Sequence, residues 1–315
     1  MTEKTAECNN TTMKALEIKE LKKSFKSNFL IREFHVLKNI NLCAEKGEIY
    51  GFLGPNGAGK TTTIKCVLRI ISPDAGEINI LGQSSTSTAS RKQVGFLPEH
   101  PYFYDYLTPV ELLTFTGDLF GIPRRRLTQR TGELIELVGL KGKENIKLRK
   151  FSKGMIQRIG LAQALIHDPE LLILDEPFSG LDPIGRKELR DIIMGLKNNG
   201  KTIFFSSHIL QDMEMIVDKV GIILAGETKK EGKLSDLISL SVYNYEIVFT
   251  GMDEKLLTEN NLAFTLQDKN YIVKPDTLDE ANRIIQIISQ SKGKIISVTP
   301  IKMTLEDIFL REVNQ

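Results

Sequence analysis

An α/β fold around a mostly parallel sheet is predicted by three observations. Short apolar runs, "EIYGFL", "LLILD", "TIFFSS" and "KVGIILA", recur along the first 235 or so residues and read as strands buried on both faces. Helical patterns alternate with them, which is the order expected of parallel strands joined by crossovers. After the polar stretch "GETKKEGKLSD" the character changes, and the last 75 or so residues read as a small α+β domain.

In chain order, residues 1–13 are polar and predict a disordered tail. The main domain is expected over 14–235, opening with "ALEIKELKKSF". Between roughly 100 and 165 the segments "TPVELLTFTGDLFG", "TGELIELVGL" and "MIQRIGLAQALI" carry apolar residues at three- and four-residue spacing, which predicts a helical subdomain. In the accessory domain, about 240–315, "YNYEIVF" and "KIISVTP" read as strands and "LDEANRIIQIISQ" as a helix. No motif occurs twice.

Composition sets broad limits. Apolar and charged fractions of 41% and 26% are those of an ordinary soluble protein, and a net charge of +2 argues neither for nor against a nucleic-acid partner. Three cysteines without a C-x-x-C spacing fit a reducing compartment and no metal site. No apolar run approaches the roughly 20 residues needed to span a bilayer. Work at a membrane is therefore expected to require a second component.

The chemistry is concentrated in two stretches. "GFLGPNGAGKTTT" follows a strand, precedes a helix and contains G-x-x-x-x-G-K-[ST] as Gly54, Gly59, Lys60 and Thr61. Glycines let successive N–H groups point into one concavity around an anion, and the following helix adds its N-terminal partial charge. Lys60 then reaches β- and γ-phosphates, and the Thr61 hydroxyl is a Mg2+ ligand. In "LLILDEPFSGLDP" a buried strand ends on two adjacent carboxylates. Asp175 is assigned to the metal, directly or through water, and Glu176 to accepting a proton from the water that attacks the γ-phosphate. A carboxylate committed to a cation is a poor base, so two acids are needed.

"FSKGMIQRIGLAQAL", ending ten residues before Asp175, resembles the signature of ABC-type ATPases, usually L-S-G-G-Q, and the likeness continues through "LDEPFSGLDP" and "TIFFSSHIL". It covers about residues 15–230 and implies a P-loop ABC ATPase core that binds ATP and Mg2+. By this resemblance Gly54, Pro55, Asn56, Gly57, Ala58, Gly59, Lys60, Thr61 and Thr62 form the phosphate loop. Phe25 matches the aromatic that stacks on adenine, with a core aromatic as the alternative and Phe29 as a rival. Ser152 and Gly154 match signature positions that touch the γ-phosphate held by an opposite protomer. Asp182 lies in the loop crossing the dimer interface, and His208 is similar to the histidine that orders the γ-phosphate and water.

Two departures stand out. Lys153 and Met155 replace the usual glycine and glutamine of the signature, and Glu99 stands where a metal-binding glutamine is usual. The stretch "VGFLPEHPYFYDYLTPVELL" and the closing "TLEDIFLREV" resemble ATPases of ABC-2-type exporters. The resemblance implies an ATP-hydrolysing homodimer on the inner face of the cell membrane, docked on a transmembrane permease near Glu99 to Leu107 and the helical subdomain, where Tyr102, Phe103, Tyr104 and Tyr106 would line the contact, with ordinary packing of some of them as the alternative. No nucleic acid is expected. The alternative is a soluble ABC ATPase that remodels nucleic acid, ribosomes or metal-cluster machinery, for which the basic runs "RRR" (124–126) and "KLRK" (147–150) are the only cue.

Overall fold

The computed structural model describes residues 13–26, 33–238, 242–252, 254–260, 262–291, 293–302 and 304–313. Residues 1–12 of the expected tail, and Phe29, lie outside them. The chain divides into two compact units, Met1–Leu234 and Ser235–Gln315.

The first unit begins with two long strands, β1 (Lys14–Lys26) and β2 (Glu33–Glu45), then β3 (Ile49–Leu53), α1 (Lys60–Val67), β4 (Ala75–Ile80), β5 (Gln83–Ser84), α2 (Thr88–Arg91) and β6 (Val94–Leu97). Three helices follow, α3 (Pro109–Leu119), α4 (Arg124–Leu137) and α5 (Lys153–Leu165). The unit closes with β7 (Leu171–Asp175), α6 (Pro183–Asn198), β8 (Thr202–Ser207), α7 (Leu210–Glu214), β9 (Lys219–Leu224), β10 (Glu227–Lys233) and the start of α8 (Leu234–Leu237).

Its ten strands form one sheet in the order β5-β4-β1-β2-β10-β9-β3-β8-β7-β6. Every residue of β3, β7 and β8 is buried, which is why these stretches are unbroken apolar runs. They pair in parallel with each other and with β6 and β9, as the sequence predicts. The other half of the sheet differs. There β1 pairs antiparallel with β2 and β4, and β4 with β5. In β1, buried Leu16, Ile18 and Leu21 are set among half-buried and exposed polar residues, the pattern of a strand with one solvated face rather than of a parallel core strand.

A narrow seam joins the two halves. Among the described residues the one register pair between β2 and β10 is Asn39 with Glu227, and beside it Gly226 O accepts from Lys38 N–H at 2.8 Å and from Asn39 N–H at 3.2 Å. Beyond it, side chains of β10 take over: Asn41 N–H donates to Thr228 Oγ1 at 3.0 Å and Cys43 N–H to Glu231 Oε1 at 2.9 Å. The core around the sheet includes Leu16, Ile18, Phe52, Ile64, Val67 and Ile173, with Tyr50 stacked on Phe204 at 5.4 Å between ring centroids. Each such buried side chain contributes roughly 1.5–3 kcal/mol relative to exposure.

Helices α3, α4 and α5 pack on one another. A capping box starts α3: Glu111 N–H donates to Thr108 Oγ1, and Thr108 N–H donates back to Glu111 Oε2 at 2.7 Å. Cys66 is a buried free thiol whose pKa is pushed up to about 11, chiefly by burial.

The second unit contains β11 (Val242–Thr250), α9 (Glu254–Glu259), β12 (Phe264–Gln267), β13 (Asn270–Val273), α10 (Leu278–Gln290), β14 (Lys294–Lys302) and α11 (Leu305–Val313). Its strands form an antiparallel sheet in the order β12-β13-β11-β14. On α10, Ala281, Ile284 and Ile288 recur at helical spacing and pack in one cluster with Ile247, Phe249 and Val273 of the sheet.

Candidate functional site

The phosphate loop runs from the end of β3 into α1. Gly57 and Gly59 adopt left-handed backbone at φ +83° and +109°, and a Cβ on Gly59 would lie 2.5 Å from Leu37 Cδ2. Glycine is therefore required there, and Gly59 is the N-cap of α1 without any side-chain cap. The first-turn N–H groups of a helix have no partners within it, so this loop ends in a set of donors suited to an anion. Pro55, Asn56 and Gly57 are exposed, Ala58 is buried, and Thr61 and Thr62 are half-buried.

Parallel pairing places the ends of β3, β7 and β8 side by side, with Leu53 opposite Ser207 and Asp175 opposite Ser206. This register assembles the polar centre. Lys60 is 6% exposed and donates to Gly54 O at 2.7 Å and Pro55 O at 3.3 Å. Its ammonium also lies 3.1 Å from Glu176 Oε1. That oxygen is buried and ion-paired but accepts no hydrogen bond. The other oxygen, Oε2, lies 2.8 Å from His208 Nδ1 and accepts from His208 N–H at 3.3 Å. Glu176 itself sits at φ +47°, the sharp turn that carries its side chain off the end of β7.

Asp175 is 2% exposed and accepts from Ser206 Oγ at 2.6 Å. The same Ser206 oxygen accepts from Glu176 N–H at 2.9 Å. Ser206 thus ties both acids to β8, and sequence reasoning missed it. The only signal was the pair of serines in "TIFFSS", whose importance depends on strand register.

Ser152, Gly154 and Asp182 form a second cluster. Ser152 caps α5 by accepting from Met155 N–H at 3.3 Å, and Asp182 caps α6 by accepting from Gly185 N–H at 3.0 Å. A Cβ built on Gly154 would stand 3.6 Å from Leu181, so the two helix starts are neighbours. Among the described residues, no hydrogen bond or ion pair links this cluster to the Lys60–Glu176 centre.

A family model described as ABC transporter matches residues 37–179. An uncharacterized ABC transporter ATP-binding protein of Synechocystis sp. is 38% identical over 303 residues, covering 95% of this chain and 85% of its own length. The chain belongs to the ATP-binding subunits of ABC transporters. The bacitracin transport ATP-binding protein BcrA of Bacillus licheniformis is 38% identical over 292 residues, 87% of this chain and 90% of that protein. A solved structure of an ATP-binding subunit of an ABC transporter superposes with a TM-score of 0.62 at 32% identity, covering 71% of this chain and 91% of that one.

Membership in this family implies ATP binding and hydrolysis. Among the described residues, neither Phe25 nor Glu99 forms a hydrogen bond or ion pair with the polar centre. Phe25 is on β1 opposite Phe34. It is 39% exposed with Lys23 Nζ 5.5 Å from its ring centroid, so it is not a core aromatic. Phe34, 55% exposed, is a second aromatic at the same place. Glu99 follows β6, its side chain 40% exposed and 3.8 Å from His100 Nε2, with no hydrogen bond or ion pair to the other site residues. Among the described residues no helix is long and apolar enough to cross a membrane.

Proposed function

We propose that this chain is the ATP-hydrolysing subunit of an ABC-2-type exporter, acting as a head-to-tail homodimer on the inner face of the cell membrane with a separate transmembrane permease. One observation carries the hydrolytic part of this reading. The Glu176 carboxylate is oriented through Oε2 by His208, while buried Oε1 has an ammonium beside it and no hydrogen bond. A base held in this way has one lone-pair site ready for a water proton.

The phosphate loop, Gly54 to Thr62, wraps the phosphates of ATP, and Phe25 stacks on the adenine. Lys60 leaves the Gly54 and Pro55 carbonyls for the β- and γ-phosphates. Its present position beside Glu176 makes it a stand-in that neutralises the acid before nucleotide arrives. Asp175 suits a divalent cation: it is buried, and no cation lies within 4 Å of it among the described residues. Thr61, Asp175 and Glu99 would hold Mg2+, which when bound neutralises charge on the phosphates. Ser152 and Gly154 of one protomer face the γ-phosphate held by the other, with Asp182 beside them at the interface. ATP then joins the two halves, and hydrolysis separates them.

The permease dock is assigned to Glu99–Leu107 and the outer face of α3, where Tyr102, Val110, Phe115 and Leu119 are all exposed. The name of BcrA as a bacitracin transport protein supports an exporter of this kind. Glu176→Gln tests the mechanism. Turnover should fall by roughly 10²–10⁴-fold while an ATP-bound dimer accumulates in light scattering. Undiminished hydrolysis removes Glu176 as the base. For the partner, a membrane protein should copurify from detergent extracts with the wild type and be lost with Phe115→Asp.

A further inference from the structure

The basic run after α4 is not isolated on the surface. Leu148 N–H donates to Leu107 O at 2.8 Å, and Arg149 N–H donates to Asp105 O at 2.9 Å. These two bonds lay residues 147–150 alongside the loop that carries Tyr102, Tyr104 and Tyr106. The three tyrosines are 91%, 59% and 57% exposed, with Tyr104 stacked on Tyr106 at 5.6 Å between ring centroids.

Cations outnumber carboxylates there even when Glu99 and Asp105 of the tyrosine loop are included. Residues 141–150 hold five cations and one carboxylate. Glu136 takes up Lys141 at 2.7 Å, Glu144 accepts from Gly142 N–H, and Glu111 is engaged in the capping box of α3. Lys143, Lys147, Arg149 and Lys150 are exposed, and none has a carboxylate within 4 Å among the described residues.

We propose that this patch, the basic segment 143–150 beside the exposed tyrosine loop, binds the anionic headgroups of a lipid surface. Clustered lysine and arginine are drawn to negatively charged leaflets, and amphipathic aromatic rings settle at headgroup depth. The combination of both, held together by backbone hydrogen bonds, fits a membrane interface better than a solvated face. Lipid binding of this kind needs no permease, and because it uses the tyrosine loop assigned above to the permease dock, it is a contact of the subunit free of the permease.

The test is flotation of the full-length protein with vesicles, in the absence of any permease. Vesicles of phosphatidylcholine with phosphatidylglycerol at about 3:1 should carry the protein, pure phosphatidylcholine should not, and added salt should release it. The combined change Lys147→Gln, Arg149→Gln and Lys150→Gln should lower partitioning by roughly 10- to 100-fold, while ATP binding stays at the wild-type level and reports an intact fold. Tyr102→Ser with Tyr104→Ser should lower it at constant charge. The proposal is overturned if the anionic vesicles fail to bind, if neutral vesicles bind equally, or if the triple variant binds as the wild type. Capture by an RNA oligonucleotide in preference to the vesicles also overturns it.

Discussion

Ser206 and Lys60 show how much of the site rests on single side chains. Ser206→Ala removes the hydrogen bond that the Asp175 carboxylate accepts and the anchor of the Glu176 amide. A hydrogen bond to a charged group is worth about 1.5–3 kcal/mol. Chemical denaturation should show a loss of that size, ATPase turnover should fall with it, and Ser206→Thr should recover much of both. Lys60 and Glu176 side chains are each 6% exposed, so removing either takes away the ammonium–carboxylate pairing of a buried charge. Without nucleotide, Lys60→Ala should cost roughly 3–5 kcal/mol. Adding Glu176→Gln to that variant should restore part of the loss. Additive effects in this double-mutant cycle would show that the pair is not coupled in the free protein.

Among the elements, those whose chemistry is contiguous in sequence were the legible ones. The phosphate loop and the Asp175–Glu176 pair each occupy a few consecutive residues, and the strands leading into them are unbroken apolar runs. Ser206 was not legible, because it matters only through its register opposite Asp175. The antiparallel half of the sheet was also missed, since β1 and β2 mix buried and exposed positions and carry register shifts that blur their alternation. Phe25 could be placed on a surface or in a core only once its strand partner was known.

The turn between β2 and β3 gives a prediction at this scale. Burial pushes the Glu48 carboxyl up to about 7, against an ordinary value of 4.5, although Glu45 N–H donates to it at 2.6 Å. The folded state therefore holds this proton more tightly than the unfolded chain does. The stabilisation is complete below about 4.5 and is lost as pH rises through about 7. Stability followed by denaturant between pH 5 and 8 should decline for the wild type, and Glu48→Gln should flatten that decline.

Among the described residues, one apolar cluster in the first unit gathers around Phe52 and Phe204, and one in the second unit around Phe249 and Ile284. Each unit has the means to unfold on its own. Phe249 is fully buried and stacks on Tyr271 at 5.6 Å between centroids. Phe249→Ala should therefore lower the stability of the second unit by roughly 3–5 kcal/mol. In calorimetry one transition should move down while the one stabilised by ATP stays in place. A single transition shifting as a whole would mean that the units melt together.

The junction of β2 with β10 has a further consequence. Phe25 belongs to the strands on one bank of it, and Lys60, Asp175 and Glu176 to the elements on the other, so under the function proposed above the purine end and the triphosphate end of the nucleotide would rest on different plates. With backbone bonds confined to Gly226 at one end and side chains of Thr228, Glu231 and Lys219 as rivets along the rest, the plates can tilt against each other without tearing a continuous ladder. Deuterium uptake at the Asn41 and Cys43 amides should be fast in free protein, slow once ATP clamps both plates, and fast again in Thr228→Val with Glu231→Gln.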